Sequence, residues 1–102
     1  MANLNPTRGK VRPVLVVQAD ALTQAGADTL VVLPLTTQFR PGMRRFRVPV
    51  PARDRLLVDS YVVIDKPRAL DPARLGDGPL TTLTTEEMAV VERSLRGVLG
   101  ML

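Results

Sequence analysis

Two kinds of side chain in this sequence stand where strands meet loops, which is a usual place for site residues. Arg12 precedes an apolar strand over Val14 to Val17, and a guanidinium pairs bidentately with phosphate and stays charged at any working pH. Thr36 and Thr37 end a second apolar strand. Arg12 and Thr36 could each have a purely structural role instead of a functional one. Arg12 could form an ion pair with a nearby carboxylate, and Thr36 could be an ordinary β-branched strand residue.

A basic and aromatic segment follows the two threonines directly. Residues 39–47 read FRPGMRRFR, which predicts a positive hairpin with aromatic platforms, as proteins use to hold single nucleic-acid strands. Phe46 shares the alternating face of its strand with Val48 and Val50, so we expect it in the core. Phe39, in the loop, is the better candidate for stacking on a base.

Composition limits the chemistry that is open to the chain. It has 102 residues, no cysteine and no histidine, so disulfides and thiolate chemistry are excluded and a catalytic zinc site is not expected. The net charge is +4, but residues 1–55 carry nine Lys/Arg against three Asp, and residues 56–102 carry five Lys/Arg against seven Asp/Glu. The basic half indicates either a polyanionic partner or a solvated basic surface. No signal peptide or membrane span is evident, so we expect a cytosolic protein.

The remaining patterns predict several short strands and one helix. Strands are expected over Val14 to Val17, Thr29 to Leu35, Met43 to Val50 and Val58 to Ile64, with turns near Asn5 to Gly9 and Gly76 to Pro79 and a loop over Asp20 to Asp28. Pro49 places its strand at a sheet edge or a bulge. Thr84 and Glu87 have the spacing of a capping box, and an apolar stripe follows at Met88, Val91, Leu95, Val98 and Leu102. A small, strongly bent β-barrel with a terminal helix fits this order.

Four segments, in this order, resemble one protein family. Arg12-Pro13 with its apolar strand is similar to the family's Arg-Pro signature, and Leu33-Pro34-Leu35-Thr36-Thr37 to its second strand, which ends in Thr or Thr-Thr. Residues 63–71 (VIDKPRALD) resemble its Asp-Gln-x-Arg-x-Ile-Asp segment, and Arg74-Leu75-Gly76 before a capped helix completes the order. Over residues 3–102 the chain thus resembles the MazF/PemK (Kid-like) toxins of type II toxin–antitoxin systems.

The resemblance implies a mostly β fold with α, namely a small SH3-like (CcdB/PemK-like) barrel with a C-terminal helix that forms a homodimer. It also implies an mRNA interferase: a cofactor-free, metal-independent endoribonuclease that cuts single-stranded RNA at specific sequences by 2′-hydroxyl attack. A cognate antitoxin with an acidic C-terminal segment would cover the surface that binds the RNA. The catalytic residues implied are Arg12, Thr36 and Asp65. The RNA-binding residues expected are Lys10, Thr37, Gln38, Phe39, Arg40, Arg44, Arg45, Lys66 and Arg68.

Asp65 has more than one possible role. An ordinary aspartate, with a pKa of about 3.9, is a weak base at neutral pH, so orienting Arg12 or Arg68, or capping the turn before Pro67, stays open. The arginine that some family members carry two residues before this aspartate is Val63 here. We expect a single domain over residues 1–102 whose first strand is truncated.

Two functions from other classes remain as alternatives. The related CcdB toxins share the fold and bind DNA gyrase through a tryptophan-containing C-terminal end, whereas this chain ends Gly100-Met101-Leu102 and has no tryptophan. A barrel that binds nucleic acid without cutting it is the other alternative.

Overall fold

The strands form one curled antiparallel sheet. The computed structural model describes residues 3–7, 12–17, 26, 28–76 and 78–101. In this part of the chain the strands are β1 (Asn3–Asn5), β2 (Val14–Val16), β3 (Leu30–Thr36), β4 (Arg47–Val50), β5 (Ser60–Val63), β6 (Arg68–Leu70) and β7 (Thr81–Thr82). Two 3₁₀ helices cover Pro41–Phe46 and Pro72–Arg74, and helix α1 covers Thr85–Leu99.

The sheet order is β4-β5-β3-β2-β1-β7, and β6 pairs with the first half of β3. The sheet curls into a half-barrel, and α1 packs beside β4 and the first 3₁₀ helix. The predicted fold, a small mostly β barrel with a C-terminal helix, is confirmed. Pro49 lies on β4 at one end of the sheet order, which confirms its predicted edge position.

The strands β2 and β3 are buried on both faces. Leu15 and Leu33 pair across the two strands and belong to the main core, while Val14 and Val32 face a second apolar cluster. This explains why both strands read as continuous apolar runs rather than as alternating ones. The main core is made of Leu4, Leu15, Leu33, Leu35, Val48, Val50, Leu56, Val62, Ile64, Leu83 and Val91.

The predicted strand over Met43 to Val50 is wrong in its first half. Residues 41–46 form a 3₁₀ helix, with Pro41 in its first turn, and only Arg47–Val50 is extended. Proline favours the first helical position because its fixed φ suits a helix and its missing N–H would be unpaired there anyway. The basic segment is therefore not a hairpin. Phe46 still packs partly buried against the main core, as predicted.

A three-residue bulge separates β5 from β6. Leu35 pairs with Val62 and Val32 with Arg68, so β3 advances three residues while the opposing chain advances six. The bulge lies opposite Pro34 of β3, and a proline has no N–H to give to a neighbouring strand, which makes bulges a favoured place for it. Asp65, within the bulge, thereby leaves the sheet.

Helix α1 begins where the sequence predicts, but it ends at Leu99, before the last position of the predicted stripe. Thr84 and Glu87 form the predicted capping box, and Gly100 ends the helix with a φ of 73°. Val91 is buried, and Met88, Leu95 and Val98 pack partly buried beside it. Of the predicted stripe, Leu102 lies outside the described residues, as does most of the predicted loop over Asp20 to Asp28.

An ion pair ties the first turn of α1 to the segment between β4 and β5. Both oxygens of Glu87 accept from Arg53, at 2.8 and 2.5 Å. The hydrogen bond from Arg53 holds the pKa of the Glu87 carboxyl below its ordinary value of 4.5, and the same contact raises the pKa of Arg53.

Among the described residues, no helix is long and apolar enough to cross a membrane.

Candidate active site

An open, basic pocket of about 260 Å³ lies on the outer face of the sheet, where β2, β3, β4 and β5 come together. Its floor is formed by strand residues, and its walls carry five cationic side chains from three parts of the chain. Among the lining residues that the structure describes, none carries a carboxylate. They are Arg12, Pro34, Leu35, Thr36, Gln38, Arg40, Arg47, Val63, Lys66 and Arg68.

Sheet register brings Arg12 and Thr36 together, although 24 residues separate them in sequence. Val14 pairs with Pro34, and the Leu35 N–H donates to the Pro13 carbonyl at 3.1 Å. Continuing this antiparallel pairing by two residues sets Arg12 opposite Thr36, and side chains at directly opposed positions share a face. The two predicted catalytic residues thus line one pocket.

The Arg12 side chain is exposed, and it makes no ion pair with the part of the chain that the structure describes. Its backbone is held in place, because its N–H donates to the Thr7 hydroxyl at 3.2 Å and its carbonyl accepts from that hydroxyl at 3.1 Å. The carboxylate partner that was the structural alternative for Arg12 is therefore not found among the described residues. A fixed backbone, with a guanidinium that has no ion-pair partner in this part of the chain, suits a side chain that binds an anion.

The Thr36 hydroxyl is set up as a donor. Its oxygen accepts the Gln38 N–H at 3.1 Å, a short contact typical of threonine at the start of a turn. A hydroxyl that already accepts has its own proton left to give, and this one lies half-buried in the pocket. The arrangement can present an O–H group to a phosphoryl oxygen.

Asp65 binds a residue that the sequence-based site did not include. Its Oδ1 accepts from Nη1 of Arg47 at 2.8 Å, and Arg47 lines the pocket whereas Asp65 does not. The same Nη1 donates to the Phe46 carbonyl at 2.9 Å. An orienting role for Asp65 was one of the alternatives, with Arg12 or Arg68 as the partner; the partner in the structure is Arg47.

The predicted RNA-binding residues divide into two groups. Gln38, Arg40, Lys66 and Arg68 line the pocket. Outside it lie Thr37, Phe39, Arg44 and Arg45, all of them exposed, and Lys10 lies outside the described residues.

Phe39 is held by an aromatic neighbour. Its ring centroid lies 5.1 Å from that of Tyr61, with the planes tilted by 37°, a favourable separation for an aromatic pair. Tyr61 pairs with Thr36 across β5 and β3, so the two rings lie beside the pocket on the same face of the sheet. This is the arrangement expected of a platform for a base.

A second, apolar groove of about 280 Å³ adjoins the pocket and shares Leu35 and Thr36 with it. Thr37 lines this groove rather than the basic pocket. Two of its apolar side chains stand largely in solvent, with Leu57 84% exposed and Val58 57% exposed. Among the described residues, no group of three or more acidic side chains is placed to hold a metal ion.

Fold and pocket together define a class: small, curled β-sheets with one C-terminal helix and a basic pocket at the strand ends. The sequence model of one family, described as PemK-like, MazF-like toxin of type II toxin-antitoxin system, matches residues 1–99. The chain belongs to this family, which confirms the resemblance found in its motifs.

Solved structures show the same fold. The Mycobacterium tuberculosis toxin MazF-mt6 is similar with a TM-score of 0.84 and 21% identity over 98% of both chains. An endoribonuclease in complex with its cognate antitoxin, from Mycobacterial species, has a TM-score of 0.78 and 25% identity over 99% of this chain and 92% of that one. A chain of the MazE-MazF structure (Form-II) from Deinococcus radiodurans has a TM-score of 0.76 and 26% identity over 98% of this chain and 93% of that one.

Proposed function

We propose that the chain is an endoribonuclease toxin that cuts single-stranded messenger RNA at specific sequences in the cytoplasm, without a metal ion. One observation carries the proposal: Arg12 and Thr36 line the same pocket, together with four further cationic side chains, and of these five cations only Arg47 is paired with a carboxylate of the described residues. A positive pocket at strand ends suits a phosphate group that must be bound and whose oxygens gain negative charge in the transition state.

The proposed step is an internal phosphoryl transfer. The 2′-oxygen forms a bond to the adjacent phosphorus and loses its proton to solvent, and the bond from phosphorus to the 5′-oxygen breaks. That oxygen takes up a proton, so the products carry a 2′,3′-cyclic phosphate and a 5′-hydroxyl. DNA lacks the attacking group and is not a substrate.

Arg12 and Thr36 have separate parts in this step. The exposed guanidinium of Arg12 pairs with one phosphoryl oxygen, and the Thr36 hydroxyl donates to another as negative charge builds up. Removing one such donor commonly lowers a rate by about 10²–10³. Gln38, Arg40, Lys66 and Arg68 hold the neighbouring phosphates, and Phe39 supports a base, which is worth about 1–3 kcal/mol per stacked base.

The neighbours also suggest partners for this chain. The Mycobacterial endoribonuclease is in complex with its cognate antitoxin, and the Deinococcus radiodurans toxin is a MazE-MazF assembly. We therefore propose an antitoxin whose acidic segment occupies the basic pocket, and a homodimer as the active form.

Mapping the ends left on a long single-stranded RNA tests the proposed function. Cuts at a recurring short sequence that persist in EDTA and leave 5′-hydroxyl ends are expected, and Arg12→Ala should slow them by at least about 100-fold. Equal cutting by Arg12→Ala and wild type would refute the site. RNA binding without cuts would instead support a non-catalytic barrel, and gyrase-dependent DNA breaks would support a CcdB-like toxin.

A further inference from the structure

We propose that Arg47 is a further catalytic residue of the basic pocket and that Asp65 is its positioning residue. The inference rests on the proposed ribonuclease function and deepens it. The sequence-based site assigned catalysis to Asp65 and omitted Arg47, whereas only Arg47 of the two lines the pocket.

Arg47 is the one lining cation whose geometry is fixed by contacts within the described part of the chain. Both N–H groups of Nη1 donate hydrogen bonds, one to the Phe46 carbonyl at 2.9 Å and one to Asp65 at 2.8 Å. Nη2 and Nε, which carry the other three donors of a guanidinium, make no hydrogen bond to the described residues. One end of the guanidinium is thus anchored and the other is left for a ligand.

Burial separates Arg47 from the other cations of the pocket. Its side chain is only 11% exposed, whereas Arg12, Arg40, Lys66 and Arg68 are exposed and have no ion-pair partner among the described residues. A long exposed side chain loses up to about 2 kcal/mol of rotamer entropy when it is fixed on a ligand. Arg47 has already lost that freedom on folding, so its charge is preorganised, which is the property that makes a donor effective in a transition state.

Sheet register puts Arg47 on the correct face and at a useful distance. Arg47 pairs with Val63 of β5, and Tyr61, two residues before Val63, pairs with Thr36 of β3. All of these side chains share the outer face. Arg47 and Thr36 lie two strands apart and are offset by two residues along the strands, so their Cα atoms are about 12 Å apart, which leaves room for a phosphate between the hydroxyl on one side and the guanidinium on the other.

Asp65 is placed to act through Arg47 rather than on RNA. It is 24% exposed, lies in the bulge between β5 and β6, and holds the far side of the guanidinium. Its Oδ1 is occupied by the Arg47 guanidinium, and Asp65 is not among the residues that line the pocket. We infer that the contribution of Asp65 to cleavage depends on the presence of Arg47.

A double-mutant cycle tests this dependence. Single-turnover cleavage at saturating RNA should be slowed about 10²–10³-fold by Arg47→Ala, with RNA affinity changed far less because four other cations remain. Asp65→Asn should slow cleavage by about tenfold, and Arg47→Ala/Asp65→Asn should be no slower than Arg47→Ala. Arg47→Lys should stay at least about tenfold slow, since an ammonium lacks the planar fork. Arg93→Ala, which removes an equal charge from the exposed face of α1, should cleave as wild type does.

Each contrary outcome has one meaning. An active wild type with an equally active Arg47→Ala overturns this inference alone, whereas a wild type that leaves RNA intact overturns the proposed function and this inference with it. A double variant slower than Arg47→Ala by about 100-fold or more would make Asp65 an independent general base. If Arg47→Ala is poorly folded because it leaves Asp65 unpaired, the double variant and Arg47→Gln, compared at matched Tm, decide the question.

Discussion

The two adjacent threonines allow the site to be tested with one substitution made at neighbouring positions. Thr36 lines the basic pocket, and Thr37 lines the apolar groove next to it. Valine keeps the β-branched shape that a strand end favours and removes only the hydroxyl. We predict that Thr36→Val loses cleavage and that Thr37→Val keeps it.

The expected magnitude follows from what the Thr36 hydroxyl does in each state. In the folded protein it accepts one hydrogen bond, from the Gln38 N–H at 3.1 Å, so its removal costs about 1 kcal/mol of stability. That lowers the Tm by about 4–8 °C in a domain of this size. In the transition state its lost O–H donor costs about 2.7–4 kcal/mol, which is about 10²–10³ in rate. Catalysis should therefore fall far more than stability.

Single-turnover kinetics at saturating RNA, with a thermal melt of each variant, separate the two effects. Thr36→Val should be slowed about 100-fold or more, and Thr36→Ser, which keeps the hydroxyl, should recover most of the rate. Thr37→Val should leave the saturated rate within about threefold of wild type, whatever it does to affinity. Equal rates for Thr36→Val and Thr37→Val would refute the donor role, as would a Thr36→Ser protein as slow as Thr36→Val.

Three further predictions concern stability, base stacking and salt. Glu87→Gln should lower the free energy of unfolding at pH 7 by about 1–2 kcal/mol, since it weakens a charged hydrogen bond that is only partly screened, while Glu86→Gln on the exposed side of the same turn should change it little. Because the folded-state pKa of Glu87 lies below 4.5, its contribution is present above that pH and should decline in urea melts as pH falls through the lowered value; a Glu87→Gln defect that does not shrink as the pH falls below 4.5 contradicts the ion pair. Phe39→Ala should weaken RNA binding by about 1–3 kcal/mol in a filter-binding assay, whereas Phe46→Ala, in the core, should instead lower the Tm. Finally, log K for RNA should fall with log salt with a slope of about −2 to −3 if three or four phosphates are held; a flat dependence would contradict binding in the basic pocket.

Local signals in the sequence predicted the local structure well. The capping box of Thr84 and Glu87 and the edge position of Pro49 both follow from properties of a few neighbouring residues. The strand predicted over Met43 to Val50 is wrong in its first half for an equally local reason. The prediction followed the alternation of apolar residues, whereas Pro41 suits the first position of the 3₁₀ helix that forms there.

The non-local half of the site was harder to predict. Arg47 was visible as one of several arginines in the basic segment, but its pairing with Val63 and its contact with Asp65, 18 residues away, depend on sheet register. The three-residue bulge opposite Pro34 sets where Asp65 projects, and its sequence signals were a proline within a strand and the turn expected before Pro67. The motifs identified most of the site residues along the chain, but the sheet register decides which of them lie next to each other.

The charge collected in the pocket is as large as the net charge of the whole chain. The chain carries 14 Lys/Arg and 10 Asp/Glu, for a net charge of +4. Five of these cations line the pocket, and one carboxylate, Asp65, is bound to one of them. The five lining cations and this one carboxylate together carry a charge of +4 (five minus one) in a single pocket on one face of the sheet. A field concentrated in this way attracts a polyanion to the pocket rather than to the surface at large, and an acidic antitoxin segment and an RNA strand would then compete for the same few side chains.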